Sequence, residues 1–369
     1  MSRLKCIMGI MLVSILCGCG SVVDTSRKTE VKSFSKDRLM IFDESVGAPR
    51  KIDITDGIWN IQWGDSHLNG NWIAVGEDIE NRHIIYRDKD VTASAISASD
   101  RCIAWVERNV GEARNEVHYR VYDKDTEKLK DFFVLTVDGS NKDYTKGLRC
   151  WVYEDDIYYY VMNYETGDVE YFRYSLSDGE TTLLSKERVP YFSEELMSIC
   201  NDHLLFLKTM KDERYVVRNI DLRNNEYEDI VLPAEVLRLY SIICDDTGKI
   251  YYLYYQGADS EINHIGRFEN DSDEVDELSE LSRKKGEREW IYDYKMIFND
   301  NCLYWIRENQ DSKLLSELPY RHLFECLDLG TGKKYIFEEG YEFEIVDDKI
   351  YCLVMDEDWY CVLYLLKKE

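Results

Sequence analysis

The side chains of this sequence that could do chemistry are paired carboxylates, six histidines and eleven cysteines. Two neighbouring carboxyl groups, one protonated and one ionised, can cleave a glycosidic bond. Asp155/Asp156 and Asp347/Asp348 are such pairs. Acidic or amide residues recur at the same place in most copies of a repeat set out below, whereas a catalytic pair is needed once. Recurrence points to turns. The histidines His67, His83, His118, His203, His264 and His322 are not paired at metal-ligand spacing. There is no Gly-x-Ser-x-Gly, no His-Glu-x-x-His, no Gly-rich phosphate loop and no Cys-x-x-Cys. No catalytic residue, metal ligand or cofactor is expected from these patterns. An active site assembled from several repeats would leave no such signature, so enzymatic activity stays open.

One cysteine stands apart. Arg3 and Lys5 precede a mostly apolar run from Cys6 to Leu16, and the small residue Gly18 stands just before Cys19. A basic start, a short apolar middle and a small residue before a cleavage point form a secretory signal, too short to span a bilayer. Leu16-Cys17-Gly18-Cys19 resembles a bacterial lipoprotein lipobox, with Leu16 at −3, Cys17 at −2, Gly18 at −1 and Cys19 as the lipidated residue. The family pattern prefers a small residue at −2, where Cys17 is a less common occupant. The resemblance implies a signal peptide over residues 1–18, acyl chains such as palmitate on Cys19, and residence on the outer side of the cell membrane.

Charge narrows the partners. The chain has 72 acidic and 46 basic residues, and the expected signal removes two bases and no acid. That excess repels phosphate backbones and anionic surfaces, so nucleic acid is excluded and membrane contact is expected through the lipid alone. Eight cysteines lie beyond the signal: Cys102, Cys150, Cys200, Cys244, Cys302, Cys326, Cys352 and Cys361. Most sit singly among apolar residues, which favours buried thiols. Cys352 and Cys361 are the pair that could meet across a hairpin.

These residues must be positioned by a repeat. Residues 20–36 are polar and nearly free of aromatics, and 19–37 is expected to be a flexible tether. Beyond it, short apolar and aromatic runs recur, which is a strand signal. An apolar pair, acidic or amide turn residues, then Ile or Leu with aromatics make up each copy. Val152–Tyr159, Ile199–Phe206, Ile243–Tyr252, Ile297–Trp305 and Ile345–Tyr351 are the clearest. Aligned Ile/Leu positions fall at 73, 103, 157, 204, 250, 303 and 350, a mean step of about 46 residues. Further turns, such as Tyr122–Lys128, Leu176–Thr181, Asp221–Glu226 and Asp328–Lys333, give about four strands per copy.

Four strands every ~40–50 residues predict an all-β fold, a β-propeller of four-stranded blades over residues 38–369. Seven anchors predict seven blades, and degenerate early copies leave six to eight compatible. The last copy is one strand short, and Leu39–Phe42 or Ile52–Ile54 is expected to supply it and close the ring. Glu269–Glu289 is expected to be a solvated insertion containing a short helix, without the spacing of a calcium loop.

Leu303-Tyr304-Trp305, Ile157-Tyr158-Tyr159 and Ile250-Tyr251-Tyr252 resemble the Ile/Leu-Tyr-Trp core of the low-density-lipoprotein-receptor-type propeller repeat. The Thr-Asp that follows in that family is absent, and that family has six blades. The resemblance implies a binding role and carries over no functional residue. Function is therefore expected to be recognition of a protein, peptide or glycan by loops around the ring axis. The alternatives are an envelope enzyme acting on carbohydrate through carboxylates in the central funnel, or a scaffold subunit of an envelope complex.

Overall fold

The computed structural model describes residues 29–31, 35–39, 49–55, 58–64, 69–76, 83–88, 91–109, 116–136, 148–163, 166–189, 197–209, 214–245, 247–256, 263–268, 276–281, 291–308, 322–340, 342–346, 349–355 and 361–367. Among them every regular element is a strand. β1 (Thr29–Val31) and β2 (Ser35–Leu39) come first. Blade 1 is β3 (Pro49–Thr55), β4 (Ile58–Gly64), β5 (Asn69–Val75) and β6 (His83–Asp88). Blade 2 is β7 (Val91–Ala98), β8 (Cys102–Asn109), β9 (Glu116–Asp123) and β10 (Lys128–Thr136). Blade 3 is β11 (Cys150–Tyr153), β12 (Asp156–Asn163), β13 (Asp168–Ser175) and β14 (Thr181–Arg188). Blade 4 is β15 (Met197–Cys200), β16 (His203–Thr209), β17 (Tyr215–Asp221) and β18 (Glu226–Val231). Blade 5 is β19 (Val236–Cys244), β20 (Ile250–Gln256), β21 (Asn263–Arg267) and β22 (Asp276–Leu281). Blade 6 is β23 (Ile291–Asn299), β24 (Cys302–Glu308), β25 (His322–Asp328) and β26 (Lys334–Glu339). Blade 7 is β27 (Glu342–Val346), β28 (Lys349–Met355) and β29 (Cys361–Lys367), completed by β2.

Each blade is an antiparallel meander, and the seven blades form a ring. First strands of successive blades touch around the axis: β3 with β7, β7 with β11, β11 with β15, β15 with β19, β19 with β23, and β27 with β3. Second strands are covered on both faces by neighbouring blades, so they lose the apolar–polar alternation of a one-sided sheet. Cys102 to Val106 are buried without a break, as are Ile157 to Tyr160 and Leu204 to Leu207. Fourth strands are the outer edge, and the large exposed apolar side chains there include Leu183 and Tyr227. Aromatics fill the gap between blades. The Tyr119 hydroxyl donates to the Tyr160 carbonyl at 2.9 Å, and the Tyr171 hydroxyl to the Leu207 carbonyl at 2.8 Å. Each bond joins the third strand of one blade to the second strand of the next. Burying one such side chain stabilises the ring by about 1.5–3 kcal/mol.

Ring closure differs in detail from the expectation. β2, Ser35–Leu39, is the fourth strand of blade 7, pairing antiparallel with β29 from Ser35↔Lys367 to Leu39↔Leu363. That strand begins upstream of Leu39–Phe42, while Ile52–Ile54 belongs to β3 in blade 1. β1 adds a fifth strand, parallel to β26, on the outer edge of blade 6. Part of the stretch read as tether is thus in strands. The anchors at 103, 157, 204, 250, 303 and 350 all lie on second strands, but Ile73 lies on the third strand of blade 1. The equivalent second-strand residue is Ile58, 1% exposed and 45 residues before Ile103, which removes the irregular first step. Within Glu269–Glu289, Asp276–Leu281 is not helix but the outer strand β22, paired with β21. Cys352 is free and lies opposite Tyr364, whereas Cys361 lies opposite Met355, so the two cysteines do not face each other.

Candidate functional site

Antiparallel blades give the ring two unlike ends. Turns from first to second strand and from third to fourth strand share one end. At that end the third-to-fourth turns of blades 2, 3, 4 and 6 are built alike. Asp123 Oδ1 accepts from the amides of Asp125 and Thr126 at 3.0 Å each, and Asp328 Oδ1 from those of Gly330 and Thr331 at 2.9 and 3.0 Å. Asp221 Oδ1 accepts from the Arg223 amide at 3.0 Å. Each turn closes on a left-handed residue four places after its start: Glu127, Gly179, Asn225 and Gly332, with φ of 52°, 73°, 59° and 68°. Asp and Asn favour this geometry because their side chains bond to their own backbone. The recurring acids therefore have structural work.

The first-to-second turns join neighbouring blades. Arg101 of blade 2 holds Asp155 of blade 3 at 2.5 Å, and Ser99 Oγ donates to the Glu154 carbonyl at 2.8 Å. The Tyr153 hydroxyl of blade 3 donates to Asp202 Oδ1 of blade 4 at 2.9 Å; burial and this carboxylate push the phenol up to about 12. Between blades 4 and 5, Ser198 Oγ donates to the Ile242 carbonyl at 2.8 Å, and the Cys244 amide donates to Cys200 Sγ at 3.1 Å. Asp155 and Asp156 consequently face different cations, since Asp156 lies 3.7 Å from Arg173 of its own blade. Burial raises the Asp156 carboxyl above the usual carboxylate range, partly offset by Arg173. The pair does not converge on one substrate position. Asp347 and Asp348 lie outside the described residues, as do Leu16, Cys17, Gly18 and Cys19.

The histidines are dispersed over the ring. His83 is exposed on β6. His118 sits between Asp131 Oδ2 at 3.0 Å and Glu116 Oε2 at 3.6 Å. His203 Nδ1 lies 2.9 Å from Asn219 Oδ1, in the second strand and not in the turn itself. His264 stacks on Tyr254 with ring centroids 5.2 Å apart, and His322 is buried in β25. His67 lies outside the described residues. Among the described residues no group of three or more His, Cys, Asp or Glu side chains is placed to hold a metal ion. Cys102, Cys150, Cys200, Cys244, Cys302, Cys326 and Cys352 are free thiols, and burial pushes the Cys102 thiol up to about 11.

Two buried carboxylates lie outside the recurring turn acids. Glu325, fully buried, accepts from the Trp305 indole N–H at 3.0 Å and holds Lys334 Nζ at 3.0 Å. In blade 2, Glu107 lies 3.4 Å from the Trp105 indole nitrogen and 3.1 Å from Arg120 Nη2. A tryptophan two places after the anchor, a carboxylate and a cation recur in both blades, but the acid comes from different strands. Ion pairs also stitch third to fourth strands: Arg120–Asp131, Glu170–Lys186, Arg218–Asp229 and Arg267–Asp276 in blades 2 to 5. Arg218 grips Asp229 through two nitrogens at 2.6 and 2.7 Å. All these charges are spent within the fold.

At the opposite end the connections are uneven. The link from β18 to β19 has four residues, 232–235, whereas 309–321 joins β24 to β25 and 137–149 joins β10 to β11. Segments 309–321 and 190–196 lie outside the described residues; their sequences contain Leu314, Leu315, Tyr320, Tyr191 and Phe192. Uneven loops on a rigid frame are where binding surfaces are built. This end is the candidate site.

No protein-family model and no curated protein matches the sequence. Solved structures do resemble the fold. The β-propeller domain of the Trilobed protease from Pyrococcus furiosus is 13% identical, with a TM-score of 0.57 over 88% of this chain and 96% of that one. That domain is described as having an open velcro topology; here the last blade is closed by the N-terminal strand β2. Pyrococcus horikoshii acylaminoacyl peptidase is 13% identical, with a TM-score of 0.54 over 87% of this chain and 51% of that one, so the present chain spans about half its length. Oligogalacturonate lyase from Vibrio parahaemolyticus is 9% identical, with a TM-score of 0.53 over 92% and 98%. At these identities the likeness is one of fold: the chain is a seven-bladed β-propeller.

Proposed function

We propose that this propeller is lipid-anchored on the outer side of the cell membrane through Cys19 and serves as a binding module for a protein, peptide or glycan. The contrast between the two ends of the ring carries the binding reading. Turns at one end have two to eight residues, those from third to fourth strand in blades 2, 3, 4 and 6 share one geometry, and their acids are tied into turn geometry and contacts between blades. Connections at the other end differ in length by several-fold and hold apolar and aromatic residues. Anchoring is supported by the sequence of residues 1–19. The test is affinity capture of the tethered protein from its native envelope, beside a variant in which 309–321 is replaced by a short Gly/Ser link. A partner retained by the parent and lost by the variant supports the reading; equal capture by both counts against the loop end. Cys19→Ala should leave the membrane fraction, and its retention there would count against lipidation.

A second reading, an envelope enzyme acting on carbohydrate, is supported by the Vibrio parahaemolyticus lyase, whose chain matches over nearly its full length. Turnover of acidic oligosaccharides by the purified protein would favour it.

A further inference from the structure

We infer that the anchored ring stands with its tight-turn end toward the membrane and its long-connection end facing away, an orientation that rests on the proposed lipidation of Cys19.

The direction of β1 carries this. β1 runs parallel to β26, with Thr29 opposite Lys334 and Val31 opposite Ile336. Lys334 is the first residue of β26, directly after the turn 329–333. The chain upstream of Thr29 therefore arrives at the tight-turn end of blade 6. β2 reports the same direction independently: Ser35 lies opposite Lys367, where the third strand of blade 7 finishes at that same end.

Length then decides between upright and inverted. Nine residues, 20–28, separate Cys19 from β1. Fully extended they reach about 30 Å. β26, with six residues, is about 20 Å long. To place the opposite end against the lipid, the nine residues would have to run back along that whole strand. About 10 Å would remain between that end of the strand and the headgroups. In the upright position the full reach is free, and the chain leaves β1 along the strand direction without reversing. Acids of the turns, Asp125 and Asp178 among them, would face the bilayer, but salt screens their repulsion from anionic lipid within about 8 Å. A partner of the long-connection end thus approaches from the side away from the bilayer.

The full-length lipidated protein is reconstituted into vesicles carrying an energy-transfer acceptor on their headgroups. A fluorescent amino acid is introduced at position 125, an exposed tight-turn site in blade 2, or at position 312 within 309–321 of blade 6. Blade 6 is the blade nearest the anchor, so a ring lying on its edge would bring position 312 closer to lipid. The expected result is stronger transfer from 125 than from 312, lost when about thirty Gly/Ser residues are inserted before Thr29. Equal or reversed transfer in vesicles that carry the protein overturns the orientation alone. Failure of the parent to float with vesicles, or absence of lipid on Cys19 by mass spectrometry, overturns the anchoring reading and the orientation with it.

Discussion

Trp305 and Glu325, twenty residues apart in sequence, face each other across β24 and β25, where the indole N–H donates to the carboxylate at 3.0 Å. The same oxygen holds Lys334 at 3.0 Å, and the carboxylate is fully buried. Replacing Glu325 by Leu leaves a half-buried ammonium and a buried N–H without their acceptor. A loss of about 3 kcal/mol is expected, and Glu325→Gln, which keeps an acceptor, should lose less. Urea midpoints of the two variants check the order.

Gly266 in β21 leaves room for a tyrosine ring. A methyl group there would lie 2.7 Å from Cε2 and Cζ of Tyr252, which is itself fully buried. Gly266→Ala should cost about 1–3 kcal/mol by overpacking. The Tyr252 hydroxyl is buried and has no hydrogen-bond partner among the described residues, so Tyr252→Phe should be neutral or stabilising. Thermal melting of both variants tests the pair of signs.

Asp245 is the hub of the first turn in blade 5. Its carboxylate accepts from Thr247 Oγ1 at 2.6 Å, from the Thr247 and Lys249 amides at 2.9 and 3.0 Å, and from the Tyr251 hydroxyl at 3.0 Å. Burial pushes this carboxyl up, but the four hydrogen bonds outweigh it and hold the group below the usual carboxylate range. A depressed folded value means stability that is complete above the unfolded value of about 4 and is lost as pH falls below it. Asp221, held at about 2 by Arg223, has the same sign. Melting temperature should therefore fall as pH drops from about 4 toward 2. Asp245→Ala should lower stability at neutral pH by about 1–3 kcal/mol and make that acid limb shallower.

The cysteines should report packing. Of the seven described thiols only Cys200 and Cys302 are not fully buried. Thiol modification of the native protein at pH 8 should be slow and confined to a minority of sites, becoming complete in denaturant. Masses before and after reduction should show no cross-link between Cys352 and Cys361.

Truncation after Gly340 removes blade 7 and leaves β2 without β29. Such a chain should lose its cooperative transition by calorimetry; a product melting as sharply as the parent would contradict closure.

The ring was legible in the sequence because each second strand is buried on both sides and must be apolar throughout. Ile157-Tyr158-Tyr159 and Leu303-Tyr304-Trp305 announce themselves for that reason. Ile58 does not stand out because Asp56-Gly57, not an Asn or Asp pair, precedes it in sequence, whereas Asn71-Trp72-Ile73 imitates the pattern from a third strand. The turn acids at 123, 221 and 328 could be read from local chemistry alone. Glu325 and the Arg218–Asp229 pair could not, since their partners are fixed by strand register across a hairpin. Glu107, two places from Trp105 on one strand, shares its face and was within reach of alternation. The loop end was the least legible, because uneven length becomes visible only once strand bounds are known.

β2 and β29 sit at opposite extremes of the chain, yet they are neighbours in one sheet. A polypeptide threaded outward from its amino end would deliver β2 well before its companion. Until β29 emerges, the early strand has no mate, and six sheets stand in an open arc with both flanks exposed. Completion of the wheel is thus set by the end of delivery and not by its start.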